Sequence, residues 1–486
     1  MNPAAATLKP AEALIAQRLD FPTWLPAMLV KELRQGLRAR GFVGSLVAFQ
    51  VIMTLFTVFA IAGGTGSASF GILQGAYWVV LNVQLLVITP ARALAGLQAE
   101  LEARSVDLLL LTRLTGWRIV LGKWISLLVQ AALLVVAMLP YGVARYFFGS
   151  VDLAGEAKLI ALLFGGSAVL TAAALWSSAM PKIGRVAIGL AVVLLWGQAN
   201  LGSMAMMMMG GRAGRGPSPF PPMTGSSLWL IVFDGALILV ICLVGAVRKL
   251  APPAENQAPI LRTLPLLSFI PAWFVGFRLA TGQLAFGAIL LGFVAALELA
   301  RSEEPMGGHW RVWARRGGWG RIVGRFVQPG WASALEWLLL IALLVALAGL
   351  ASSERAKIAR IALLATEALV FPALLLTWMS SQFTQRAAGY VLVLSGASLI
   401  AAVGAASASS VGIHRLADIT LWLLPIASFW SSMFSQTAPP TPVLIAQIVI
   451  AAAVLGLAWW RGLPYRRQRR EFEAAGDAPA PEGVVA

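Results

Sequence analysis

Charge is what this sequence has least of. Asp, Glu, Lys and Arg make up 12% of its 486 residues, against 59% hydrophobic ones. A soluble domain carries about 25% charged residues, so roughly half of the usual water-facing surface is missing. Cysteine is nearly absent too. Cys242 stands alone, which excludes a disulfide within the chain, and the two histidines, His309 and His414, are far apart. A Cys/His zinc centre therefore has nothing to build on. Residues 1–42 lack the early apolar core of a signal peptide and instead scatter Lys9, Arg18, Lys31, Arg34, Arg38 and Arg40. The apolar runs do not alternate with polar residues, as the strands of a membrane barrel must.

What is present is a series of apolar runs, many of them near the 20 or so residues that cross a bilayer as helix. They predict an all-α, polytopic membrane protein with about 12 transmembrane helices. The expected spans are 43–62, 71–90, 120–148, 157–179, 184–209, 227–247, 264–281, 283–300, 333–351, 359–380, 388–408 and 443–460, with a tight turn at 281–283. A further stretch, 416–434, is short and carries Pro425; parity of the basic loops makes it a re-entrant helix near the C-terminus. The net charge of +16 comes from Lys and Arg concentrated in short loops, where they set orientation and meet anionic lipid. No basic domain exists to carry nucleic acid. Loop charge predicts both termini in the cytoplasm, and the expected location is a bacterial cytoplasmic (inner) membrane. The layout suggests an N-terminal six-span half over 1–250, a C-terminal half over 251–471 and a disordered tail over 472–486 rich in Pro, Ala and Gly.

Residues 97–123 interrupt this pattern. On helical spacing Leu97, Leu101, Leu108 and Leu111 share a face while Glu100, Arg104 and Asp107 turn to water. Buried charge is costly in a membrane, so the segment is expected to lie flat at the bilayer surface, open to a soluble partner. The order of residues is more specific: Glu102, then Asp107-Leu-Leu-Leu-Leu111-Thr112, then Leu114-Thr115, then Ile119-Val-Leu-Gly122-Lys123 opening a span. This resembles the permease subunits of ABC-2-type transporters. In that family a Glu-rich helix leads through a Thr-Leu-Asp/Glu-Leu-Leu-Leu-Thr-Pro-Leu-Ser/Thr stretch into Ile-Val-Leu-Gly-Lys. Arg113 stands here for the usual Pro, and Ser105-Val106 for Thr-Leu. The resemblance implies a coupling helix that docks on a separate cytoplasmic ABC ATPase dimer. Glu100, Glu102, Arg104, Asp107, Thr112, Arg113 and Lys123 are its candidate docking residues, with help from the basic amphipathic stretch 30–42. It further implies export, no catalytic residue or cofactor in this chain, and a homodimer or second permease chain as partner.

The chain carries no ATPase of its own. Gly116 and Gly122-Lys123 resemble a phosphate loop, but five residues separate the glycines where four are needed, and Trp124 occupies the Ser/Thr position. Among charges in apolar runs, Arg145, Asp234 and Glu298 lie near span ends and are expected to snorkel; Arg278 is expected at the outer interface beside the 281–283 turn. Glu367, nearest a span centre, is a candidate intramembrane polar site. It keeps an ion-gradient-driven secondary transporter open as an alternative, alongside a non-transporting membrane scaffold. Met204 and Met206–Met209 point all around a helix and do not converge on a metal. Trp310, Trp313, Trp319 and Trp331 mark 309–331 as a basic helix, or pair of helices, hugging the membrane.

Overall fold

In the computed structural model, residues 27–63, 67–94, 96, 115–148, 153–178, 225–250, 256–274, 277–299, 313, 316–351, 367, 370–376, 386, 389–390 and 441–476 are described. All regular structure among them is helical. They fall into two units, Met1–Ser178 and Ala179–Ala486.

The first unit opens with α1 (Ala27–Arg38), whose Leu29 and Leu33 are buried while Lys31, Arg34 and Arg38 face out. The residue Ala39, extended at φ −64° and ψ 129°, separates it from α2 (Arg40–Ala62). There follow α3 (Ser67–Asn82), a π-helical turn (Val83–Ile88) and α4 (Thr89–Leu94), which together form one continuous rod. The long α5 (Gly116–Phe148) and α6 (Leu153–Ser178) complete the unit. Arg40–Ala62, Gly71–Leu94, Gly116–Phe147 and Leu153–Ser178 are each long and apolar enough to cross a membrane, as expected for the first four spans. Val43, Val47, Val51, Leu55 and Phe59 stand exposed along α2, a surface suited to lipid and not to water. Inside, Met53, Leu73, Tyr77, Leu81 and Met138 form the core. Small residues let α5 and α6 approach closely: Ser167, Ala168, Thr171 and Ala172 line the buried face of α6, and the Trp124 indole N–H donates to the Ala168 carbonyl at 3.0 Å.

The second unit contains α7 (Gly225–Leu250), α8 (Ala258–Leu267), a 3₁₀ turn (Ile270–Trp273), α9 (Phe277–Leu299), α10 (Gly317–Val327), α11 (Trp331–Ala351), α12 (Thr441–Arg461) and α13 (Leu463–Gly476). Leu228–Leu250 is a fifth helix of crossing length. The expected pair 264–281 and 283–300 is replaced by a different arrangement. α9 runs unbroken through 281–283, and the chain turns instead within 268–274. Gly282 is tolerated within a helix, whereas Pro265 and Pro271 interrupt the backbone ladder and shorten the preceding arm. Arg278 thus sits in the first turn of α9 and not beside a hairpin turn.

Two polar pairs fix the direction of these helices. Gln283 of α9 donates to Asp234 of α7 at 2.7 Å, and Arg248 of α7 pairs with Glu298 of α9. The pairs occur in the same order along both chains, so α7 and α9 run parallel. α8 packs against both. It runs the other way: Arg262 meets Glu298, and the Ser268 carbonyl accepts from Gln283. The stretch 258–274 is thus a short, broken return between two parallel helices.

Beyond it, α10 joins α11 through a turn in which Gly330 adopts φ +118°, a conformation that side-chain-bearing residues avoid. The core of the unit gathers Trp331, Leu335, Phe371, Leu374 and Tyr390. After Gly462 the chain bends by 42° into α13, an Arg-rich helix; it remains helical through Gly476, so the disordered tail expected over 472–486 does not begin at 472. Arg469 grips Glu336 of α11 through two bonds of 2.9 and 3.0 Å, and Arg466 stacks over Trp459 at 3.6 Å.

Candidate functional site: the junction that brackets residues 97–114

The rod α3–α4 ends at Leu94 and α5 begins at Gly116, so the acidic segment hangs directly between two long helices. Thr115 starts α5, its carbonyl accepting the N–H of Arg118 at 3.0 Å. Glu100, Glu102, Arg104, Asp107, Thr112 and Arg113 lie outside the described residues. What the structure does describe is how the two flanking helices are tied.

Arg92, near the end of the rod, donates to Gln130 Oε1 of α5 and lies 5.3 Å from the Phe42 ring centroid at the start of α2. Gly36 of α1 presses on the same glutamine: a Cβ at that position would come within 2.2 Å of Gln130 Nε2. One turn earlier Glu32 takes the Lys123 ammonium at 3.1 Å. Lys123 is buried, so it works as an internal tie between α1 and α5 and not as the surface contact the sequence suggested. Its charge is turned inward because Glu32 meets it there, a pairing across 91 residues that sequence spacing does not reveal. The junction therefore joins α1, α2, α4 and α5 by one ion pair, one charge-assisted hydrogen bond and one cation–π contact.

A second polar clamp holds the far end of the same helices. Arg145 is fully buried (0% exposed), although its place near a span end suggested a side chain reaching out to water. Its Nε donates to Gln74 Oε1 at 2.8 Å, it pairs with Glu156 of α6, and it covers the Tyr77 ring at 4.2 Å. Lys123 and Arg145 are 22 positions apart on α5, about 33 Å of helix, which matches the hydrocarbon thickness of a bilayer at roughly 30 Å. Charged side chains thus tie the helices of the first unit near both ends of α5.

Glu367 is helical and buried at 1% exposure, and neither carboxylate oxygen has a hydrogen-bond partner. Glu298, expected to snorkel, is instead enclosed at 2% exposure between Arg248 and Arg262. Arg262 also donates to Ser333 Oγ at 3.0 Å and to the carbonyls of Phe326 and Gly330. One guanidinium therefore ties α8, α9 and the α10–α11 turn. The expected basic helix within 309–331 corresponds to α10, with Trp319, Ile322 and Val323 exposed on one face and Gly320 and Gly324 buried on the other.

Among the described residues, no group of three or more His, Cys, Asp or Glu side chains is placed to hold a metal. The class that fold and site define is a helical protein with several helices of membrane-crossing length. No protein-family profile, curated protein or solved structure matches the chain.

Proposed function

We propose that the chain is the membrane-spanning permease subunit of an ABC-2-type transporter, moving its cargo outward with ATP hydrolysed by a separate cytoplasmic subunit. The observation that carries this reading is the junction around residues 97–114. The acidic stretch connects two long helices that are cross-tied by Arg92–Gln130 and braced by Glu32–Lys123, and such a connection suits a lever. A push on the segment displaces α4 and α5 together, as a rigid-body switch requires. The motif order from Glu102 to Lys123 supports the same reading, and its mixed charges supply orientation and partner choice.

In this reading the chain sits in a bacterial inner membrane with both termini cytoplasmic. It has twelve spans in two halves, 1–250 and 251–471, with 416–434 dipping in from the outer side and 258–274 as a broken crossing. A homodimer or a second permease chain completes the pathway if one half alone forms it.

The test is copurification. From the native membrane the chain is expected to bring with it an ATP-hydrolysing subunit, and Glu102→Arg or Asp107→Arg to lose it. Unchanged copurification in both variants removes the docking reading. The buried, unpartnered carboxylate of Glu367 favours the second reading, a transporter driven by an ion gradient. Transport that persists with ATP depleted and the proton gradient intact selects it over the first.

A further inference from the structure

The π-helical turn Val83–Ile88 has a local cause. Pro90 offers no N–H, and its ring crowds the carbonyl four residues earlier, so the backbone cannot close an ordinary turn there. Thr89 resolves this by directing both its N–H and its hydroxyl to the carbonyl of Gln84, the hydroxyl at 2.9 Å. The widened turn adds a residue to the helix, and such insertions recur at functional positions. Its effect here is to deliver the Gln84 side chain into the apolar core.

Gln84 is 3% exposed, and neither its Oε1 nor its Nε2 has a partner among the described residues. An unmatched buried amide of this kind is destabilising unless something pairs with it. Gln84 lines a small, partly open cavity of about 10 Å³, walled by Leu81, Leu134 and Met138 and shared with the half-buried Gln50 of α2. Gln50 donates its Nε2 to the Ala137 carbonyl at 2.8 Å, which leaves its Oε1 to accept. The two glutamines are the cavity's polar side chains. Leu134 and Met138 lie 11 and 15 positions beyond Lys123 on α5, about 16 and 22 Å along the helix, so the cavity falls midway between the two charged clamps.

A volume near 10 Å³ accommodates one water and nothing larger. Water needs two to four polar partners to stay in such a place, and the lining side chains that offer them are the amides of Gln84, whose Nε2 and Oε1 are both buried without a partner, and of Gln50. A dry cavity would instead be lined throughout by apolar groups. We infer that the π-turn builds an internal water site, in which one water bridges Gln84 and Gln50 at mid-depth of the first unit. This goes beyond the transport reading and does not depend on it. The site gives the rod a hydrated, loosely satisfied turn between its two clamped ends.

Hydroxyl-radical footprinting by X-ray radiolysis of the full-length protein tests this, because radicals born from a bound water oxidise the adjacent thioether. Met138 lines the cavity and is 4% exposed; Met53 belongs to the same core, is 0% exposed and does not line it. Met138 is expected to be oxidised several-fold faster than Met53, and Gln84→Leu to bring it down to the rate of Met53. Equal protection of the two methionines in the unaltered protein, or Met138 labelling that survives Gln84→Leu, overturns the inference. Should Gln84→Leu fail to fold, Gln50→Leu is expected to lower Met138 labelling in the same direction. Where Gln84→Leu does fold, the thermal shifts of the two single variants and their double are expected to be non-additive, since each removes one anchor of the same water. Strict additivity contradicts a shared guest.

Discussion

Replacing Glu298 by leucine is expected to destabilise the second unit by about 3–5 kcal/mol, the cost of leaving buried charge without its counter-ion. The carboxylate sits between two guanidiniums, Arg248 on α7 and Arg262 on α8, and is itself buried. Removing it strands positive charge where water cannot reach. Arg262 would keep Ser333 Oγ and the Phe326 and Gly330 carbonyls, which are dipoles and not charges. The effect is read as a drop in the thermal unfolding temperature of the purified protein. A combined Glu298→Leu, Arg248→Leu and Arg262→Met variant is expected to recover most of it, because apolar groups of similar size do not need compensation. A change in Glu298→Leu below about 1 kcal/mol, the range of an exposed pair, contradicts the burial argument.

The second large effect is expected at Glu156→Gln. Arg145 is enclosed by Gln74, Tyr77, Trp78 and Glu156, and only the last of these carries the opposite charge. Neutralising it is expected to cost about 3–5 kcal/mol, with Arg145→Met in the same chain restoring much of the loss. Arg145→Lys is expected to be poorly tolerated, since an ammonium cannot present the planar fork that meets Gln74 and Glu156 together while covering a ring. Unfolding measured for the two single variants and their double decides it. Additive losses contradict a coupled clamp.

Much of the architecture was legible in the sequence because apolar length is a one-dimensional property. The helices Arg40–Ala62, Gly116–Phe147 and Leu228–Leu250 lie where runs of twenty or more apolar residues predict them. The hairpin expected at 281–283 was not there, because Thr281 and Gly282 read as a turn while the true breakers, Pro265 and Pro271, sit inside an otherwise continuous apolar stretch. Pro90 was a visible signal for the irregular turn before it, but its consequence, a buried Gln84, depends on which neighbours the widened helix meets. The same limit hid the clamps. Nothing in the local sequence of Arg145 distinguishes a side chain that reaches the interface from one enclosed by Gln74 and Glu156. Lys123 read as a surface residue for the same reason: its partner Glu32 is 91 positions away. Membrane-crossing length is written locally, whereas the partners of a buried charge are set by tertiary packing.

The two units handle charge alike. Each gathers arginines and carboxylates into a few buried or half-buried knots and leaves long apolar faces outside, as at α2 with Val43, Val47 and Leu55. In the first unit the Glu32–Lys123 and Arg92–Gln130 ties flank the acidic stretch between α4 and α5. Ties on both flanks are what the proposed lever requires.

Cross-linking from the segment itself tests that role most directly. Cys242 is buried and is the one cysteine in the chain, so a Cys242→Ala background carrying Asp107→Cys holds a single reactive thiol. In membranes of the native host, a bifunctional thiol–amine reagent is expected to join position 107 to a polypeptide that hydrolyses ATP, and the yield is expected to change when ATP is bound. Products that link position 107 to this same chain, or to lipid, in place of any ATPase would contradict the account.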